Sequence, residues 1–226
     1  MDFGVMLEYL PLYTQAMVLT LRIGWLGIIG SIVIGLIVAC IVHFRIPVLR
    51  QLSSVYVEFF RNTPLLIQLF FIYFALPRFG LSISAEMCGI VGLALHGGAY
   101  MAESFRSGLE SVEKIQTESA MSLGMTNMQL MRHIVLPQAV ALAMPSFVAN
   151  VIFLLKETSV FSAISLLDLM FVAKDLIGLY YNTTECLVML VIFYLIILLP
   201  VSILGTVLER RLRYGTFGAC CSVHGQ

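Results

Sequence analysis

Few side chains in this sequence are equipped for chemistry, and most of those stand inside strongly apolar runs. Glu58 and Arg61 are three residues apart, and Thr63, Pro64 and Gln68 follow closely. On a helix Glu58 and Arg61 share one face, where they either pair with each other or line a path that meets a zwitterionic solute. Pro64 removes a backbone donor, and a helix broken there frees carbonyls to line a cavity. Lys156, Glu157, Thr158 and Ser159 form a second cluster late in another apolar run. That cluster suits either a helix unwinding around a water-filled site or a simple helix end. His96 stands alone among small residues, a position for packing or for one polar contact. No catalytic set emerges: no Ser/His pair is apparent, and the four histidines lack metal-ligand spacing. The five cysteines, Cys40, Cys88, Cys186, Cys220 and Cys221, contain no Cys-x-x-Cys. The first three lie in apolar surroundings and are expected to be small core residues. No Gly-x-x-x-x-Gly-Lys-[Ser/Thr] loop is present, so nucleotide phosphates have no cradle. The expected chemistry is non-covalent, with no cofactor or metal held by this chain.

The elements that must position these residues are membrane helices. Of 226 residues, 60% are hydrophobic and 12% charged, and mean hydropathy is +0.97. Soluble domains average about 45–50% apolar and about 25% charged residues. Such a chain cannot cover a soluble surface, and it is too hydrophobic for disorder. Thirteen basic residues balance thirteen acidic ones, so no net field draws it to nucleic acid. A helix needs about 20 apolar residues to cross a bilayer core. Charge-free stretches of 22, 23 and 23 residues run over 23–44, 133–155 and 186–208. Two shorter ones, 62–77 and 87–102, have 16 residues each and reach spanning length only with charged neighbours such as Glu58, Arg61, Glu103 and Arg106. Such charges are tolerated where they face protein or water.

Five spans are expected, near residues 16–43, 53–76, 87–107, 139–161 and 186–209, in an all-α bundle. Pro64 and Pro200 predict kinks. Small residues every four positions, at Gly27, Ser31, Gly35 and Ala39 and at Ala94, Gly98 and Ala102, let backbones approach closely, within one subunit or across a dimer. Eight Lys and Arg residues flank one side of these spans and two the other, which places the N-terminus outside and the C-terminus in the cytoplasm. The start, Met-Asp-Phe-Gly, has no positive segment before the apolar run and is not expected to be a cleaved signal peptide.

Between the third and fourth spans lies a cytoplasmic segment, 108–138, of helical composition. Gly124 interrupts it and Pro137 is expected to end it, giving a helix, a turn and a second short helix. Such a hairpin is either a solvated connector or a docking element.

The segment resembles the "EAA" loop of bacterial ABC importer permeases. Glu118-Ser119-Ala120, Gly124, Ile134, Leu136 and Pro137 keep every spacing of that pattern, with Ser119 in place of alanine. Arg61-Asn-Thr63-Pro64-Leu, Gly98-Ala-Tyr100-Met-Ala-Glu103 with Arg106, and Leu155-Lys156-Glu157-Thr158-Ser159 are similar to segments of polar amino-acid permeases. The likeness covers roughly residues 10–213, leaving a cytoplasmic tail, 214–226. It implies a five-span subunit of the type I importer kind in a bacterial inner membrane. It implies a second permease subunit, identical or homologous, and two cytoplasmic ATP-binding subunits that carry the ATP and Mg. It further implies a periplasmic or lipid-anchored solute-binding protein. On this likeness residues 118–137 couple to the ATPase, with Glu118 capping a helix end or pairing with a partner. The candidate pathway residues, polar and at membrane depth, are Glu58, Arg61, Thr63, Gln68, His96, Glu157, Thr158 and Ser159; the likeness implies that Glu157 meets an amino group. Glutamate, aspartate or glutamine are the implied solutes. An opine or another small solute, or less readily a secondary transporter, is the alternative. Residues 162–185 offer either a docking surface for the binding protein or an interfacial helix.

Overall fold

The structure is a computed structural model that describes residues 3–43 and 47–217. All regular structure among them is helical. Arg45, Cys220, Cys221 and the tail from 218 onward lie outside the described residues. In order, the helices are α1 (Phe3–His43), α2 (Pro47–Asn62), α3 (Leu65–Phe70), α4 (Ala85–Glu110), α5 (Lys114–Ser122), α6 (Asn127–Leu130), α7 (Leu136–Glu157), α8 (Leu169–Tyr180) and α9 (Thr183–Phe217).

Helix α4 lies at the centre, packed most extensively on α1 and then on α7, α2 and α3. The small-residue stripes explain how. A Cβ on Gly35 would stand 2.5 Å from Cβ of Met101 and 2.9 Å from the Ala102 nitrogen. Fully buried Ser31 donates to the carbonyls of Gly27 (2.8 Å) and Leu93 (3.1 Å). The stripes therefore serve contact within one subunit. Outward-facing Ile29, Val33, Leu36 and Ile37 on α1 are exposed, as are many aliphatic residues of α9, which fits apolar surface turned to lipid.

Three helical stretches are long and apolar enough to cross a membrane, Gly4–His43, Asn127–Ile164 and Thr183–Leu212. A fourth arises if the bent pair Pro47–Asn62 and Leu65–Phe79 is counted as one. α4 is too polar to pass on composition, and its neighbours shield it. Helix α1 begins thirteen residues before the expected 16, at Phe3. Its extension is held by Tyr13 donating to the Cys186 carbonyl (2.8 Å) and by Asn182 donating to the Tyr9 hydroxyl (3.2 Å). Arg22 pairs with Glu86 in the first turn of α4. At about 1.5 Å per residue α1 is roughly twice as long as a bilayer core is thick.

Pro64 does more than kink a span: its two halves meet at 104°. α9 runs through Pro200 as one helix. Pro137 does not end the helical segment, which runs on from Asn127 to Ile164; a π-helical turn, Met131–Val135, lies directly before the proline, a place where a helix accommodates one. Cys88 and Cys186 are buried as expected, whereas Cys40 is exposed and belongs to no core.

Candidate functional site

The break at Pro64 is closed by side chains. Proline offers no N–H to the Phe60 carbonyl four residues earlier. The Gln68 amide nitrogen donates there instead, at 3.2 Å, and also lies 3.0 Å from the Thr63 carbonyl and 2.8 Å from the Thr63 hydroxyl oxygen. The Thr63 hydroxyl donates to the Phe59 carbonyl and the Asn62 amide to the Glu58 carbonyl, both at 2.8 Å. The Glu58, Phe59, Phe60 and Thr63 carbonyls thus gain side-chain donors. The same Gln68 nitrogen lies 3.1 Å from Nδ1 of His96 on α4. Gln68 is 7% and His96 3% exposed, and the Gln68 carbonyl oxygen has no partner. His96 packs beside the Tyr100 ring (5.2 Å), which packs beside Phe153 (5.1 Å).

One helical turn away, a cavity of about 550 Å³ opens between α1, α2 and α4, with Arg50, Glu58, Arg61, Glu103, Arg106 and Glu110 on its walls. The expected Glu58–Arg61 pair is absent. Arg61 reaches across to Glu103 on α4 (3.6 Å) and lies over the Tyr100 ring, 5.4 Å from its centre. Glu103 also binds Arg106, which holds Glu110 at 2.9 Å. The reason is geometric: α4 faces α2 here, so the inter-helix partner wins over the one a turn back. Glu58 is left without an ion pair among the described residues, as is Arg50.

Glu157, Thr158 and Ser159 are not in this cavity. Thr158 is fully buried and donates to the Leu155 carbonyl at 2.7 Å, a helix-end bond that opens a short 3₁₀ stretch, Thr158–Ile164.

The 108–138 segment projects from the bundle. α5 ends in a Schellman turn: the Gly124 amide bonds the Met121 carbonyl (2.9 Å) and the Met125 amide the Ala120 carbonyl (3.2 Å). Gly124 takes φ +79°, the left-handed value such a turn requires. Nothing lies within 4 Å of where its Cβ would be. Thr126 and Gln129 then form a capping box that starts α6. Ala120 is buried against the bundle, but Glu118 and Ser119 are exposed. Glu118 lies in the middle of α5 and caps no helix end. Ile134 is half-buried, while Leu136 and Pro137 are exposed at the start of α7. Around the turn, Ile115 is 65%, Leu123 84% and Met128 76% exposed, apolar side chains on an otherwise polar segment. A Gln116–Gln138 hydrogen bond ties α5 to α7.

Residues 31–214 match the family model described as binding-protein-dependent transport system inner membrane component. The chain belongs to that family. The permease is 40% identical over 172 residues to "Probable amino-acid ABC transporter permease protein PatM" of Vibrio harveyi, covering 75% of this chain and 77% of that one. It is 34% identical over 212 residues to "Probable glutamine ABC transporter permease protein GlnM" of Bacillus subtilis, covering 94% and 98%. A crystal structure of an amino acid ABC transporter with histidines superposes at a TM-score of 0.87 with 34% identity, over 93% of this chain and 99% of that one. The expected fold, an all-α type I importer bundle, is thereby established.

Within the permease, the structure joins Glu58 to Arg61 through one cavity and Thr63 to Gln68 and His96 through one network. It leaves 157–159 apart. Sequence reasoning quoted Tyr100, Glu103 and Arg106 as motif residues but missed the contacts of Tyr100 and Glu103 with Arg61. The available signal was charge balance: Arg61 and Glu103 are both charged residues at the edges of short apolar runs.

Proposed function

We propose that this permease translocates a polar amino acid by alternating access, with ATP hydrolysed on a partner subunit. The observation that carries the reading is the projecting 114–130 segment, whose apolar Ile115, Leu123 and Met128 face outward on a turn closed by backbone bonds alone. Exposed apolar side chains on a fixed helical hairpin suit insertion into a groove of another protein. Residues 118–137 would transmit closure of two ATP-binding subunits to the bundle. A second permease subunit and a solute-binding protein complete the transporter. The chain lies with its N-terminus outside and its C-terminus in the cytoplasm, following the Lys and Arg bias.

For the solute, the cavity beside α2 offers both signs of charge. Glu58, free of an intramolecular partner, is the group that would meet a substrate ammonium. Gln68, His96 and Thr63 set the shape of the wall rather than touch solute first. Glutamine, named for GlnM, and glutamate or aspartate are the solutes this reading favours. The test is uptake into vesicles holding the permease, the ATP-binding subunit and the binding protein, with a panel of labelled amino acids. The expected result is ATP-dependent uptake of one polar amino acid and at least tenfold weaker uptake with Glu58→Gln. Uptake that follows an ion gradient without ATP would overturn the reading.

A further inference from the structure

A second cavity lies at the end of the bundle where α1 finishes. It is a groove of about 470 Å³ walled by α1, α4 and α7, apolar throughout except for Cys40 and His43. Its α1 wall runs from Ile32 to His43 and its α7 wall from Leu136 to Phe147. At about 1.5 Å per residue each wall is about 16 Å long, which matches the roughly 15 Å hydrocarbon depth of one leaflet. An apolar groove of that length suits a single hydrocarbon chain lying along it.

At its His43 end the groove runs into a polar mouth of about 350 Å³ that shares Ala39, His43 and Leu109 with it and adds Arg50, Arg106 and Glu110. Arg106 is committed to Glu103 and Glu110. Arg50 makes no ion pair among the described residues. An uncommitted guanidinium thus stands at the polar end of the groove, a fork of donors suited to a phosphate.

We propose that this groove binds one acyl chain of an anionic glycerophospholipid, with Arg50 meeting its phosphate. The occupant would wedge between α1 and α7 against α4, the helix that carries Glu103 and Arg106, so lipid composition would bear on how the bundle moves.

The test is native mass spectrometry of the assembled transporter released from bilayers of equal phosphatidylglycerol and phosphatidylcholine. The expected result is one phosphatidylglycerol retained per permease chain, at least fivefold over phosphatidylcholine. Arg50→Gln abolishes that preference, and Cys40→Trp, which fills the groove, removes the retained lipid. Should Cys40→Trp fail to assemble, alkylation of the native Cys40 thiol gives a second reading, with Cys220 and Cys221 replaced by serine. Phosphatidylglycerol then slows alkylation at least fivefold relative to phosphatidylcholine, and a roughly 10-fold excess of inorganic phosphate does not mimic the effect. Equal retention of both lipids regardless of Arg50 would mark an unspecific annular chain and overturn the proposal. So would protection of Cys40 in both lipids, which would mean that a protein surface covers the groove, or protection by phosphate alone.

Discussion

Two helix interruptions, one at Pro64 and one at Gly124, solve the same problem by opposite means. At Pro64 the break packs against α4, where Gln68 and His96 are buried, and donors must satisfy the freed carbonyls. Side chains do so: Asn62, Thr63 and above all Gln68, whose amide also faces His96 of α4. At Gly124 the break faces outward, and the backbone closes it with a Schellman turn. Only Thr126 and Gln129 spend side chains there, capping α6, and Leu123 and Met128 stay exposed. A break closed by side chains commits them to one geometry, whereas a break closed by backbone leaves them for recognition. The first should therefore govern stability of the permease itself, and the second its coupling.

This contrast can be broken by substitution. The largest effect is expected from Leu123→Glu, which puts a charge on the exposed apolar tip. It should cut ATP-driven uptake at least tenfold while the permease inserts and melts normally. Normal uptake would dissolve the distinction. Next comes Gln68→Leu, which strips the donor from the Phe60 and Thr63 carbonyls and from His96. Unpaired buried acceptors cost about 1–3 kcal/mol each, so thermal unfolding of the purified permease should show a loss of about 3 kcal/mol. Thr63→Ala removes the bonds of its hydroxyl to Phe59 and Gln68 and should cost about 1 kcal/mol, with Thr63→Ser close to neutral. Gly124→Ala meets no neighbour and strains only the left-handed backbone, costing about 1 kcal/mol in the isolated permease. Gly124→Asn should cost less, since asparagine tolerates that conformation.

The smallest effect sharpens the comparison at a third site. Asp168, fully buried between the spans, caps α8 by accepting from the Met170 and Phe171 amides. Burial pushes its carboxyl up to about 7, with those amides pulling the other way. A carboxyl raised on folding contributes stability that is present below its ordinary value near 4 and is lost as pH rises through 7. Asp168→Asn keeps the cap and should flatten the fall in melting temperature between pH 4 and 8. An unchanged slope would remove Asp168 as its source.

Much of this was legible in the sequence. Apolar runs marked the long helices, small residues every four positions marked the α1–α4 contact, and the Glu118-to-Pro137 spacing marked the projecting segment with its glycine turn. What was not legible depended on contacts distant in sequence. Glu58 and Glu103 are equally good partners for Arg61 until α4 is placed beside α2. Pro64 announces a break, but its 104° angle is fixed by Gln68 and His96, which are 28 residues apart. The early start of α1 rests on Tyr9 and Tyr13 meeting Asn182 and Cys186 at the far end of the chain. Proline 137 was read as a stop because a proline ends a helix as readily as it begins one.

The central claim is that a permease without its own nucleotide site takes its energy through the turn at Gly124. A cysteine at Leu123, in a background whose other exposed cysteines are replaced by serine, tests it by crosslinking to the ATP-binding subunit in oriented vesicles. Coupling through this turn predicts a crosslink to that subunit and alkylation of the uncomplexed permease from the cytoplasmic face only. A thiol that reacts from the opposite face, or that crosslinks to no ATP-binding subunit while ATP-driven uptake persists, would contradict it.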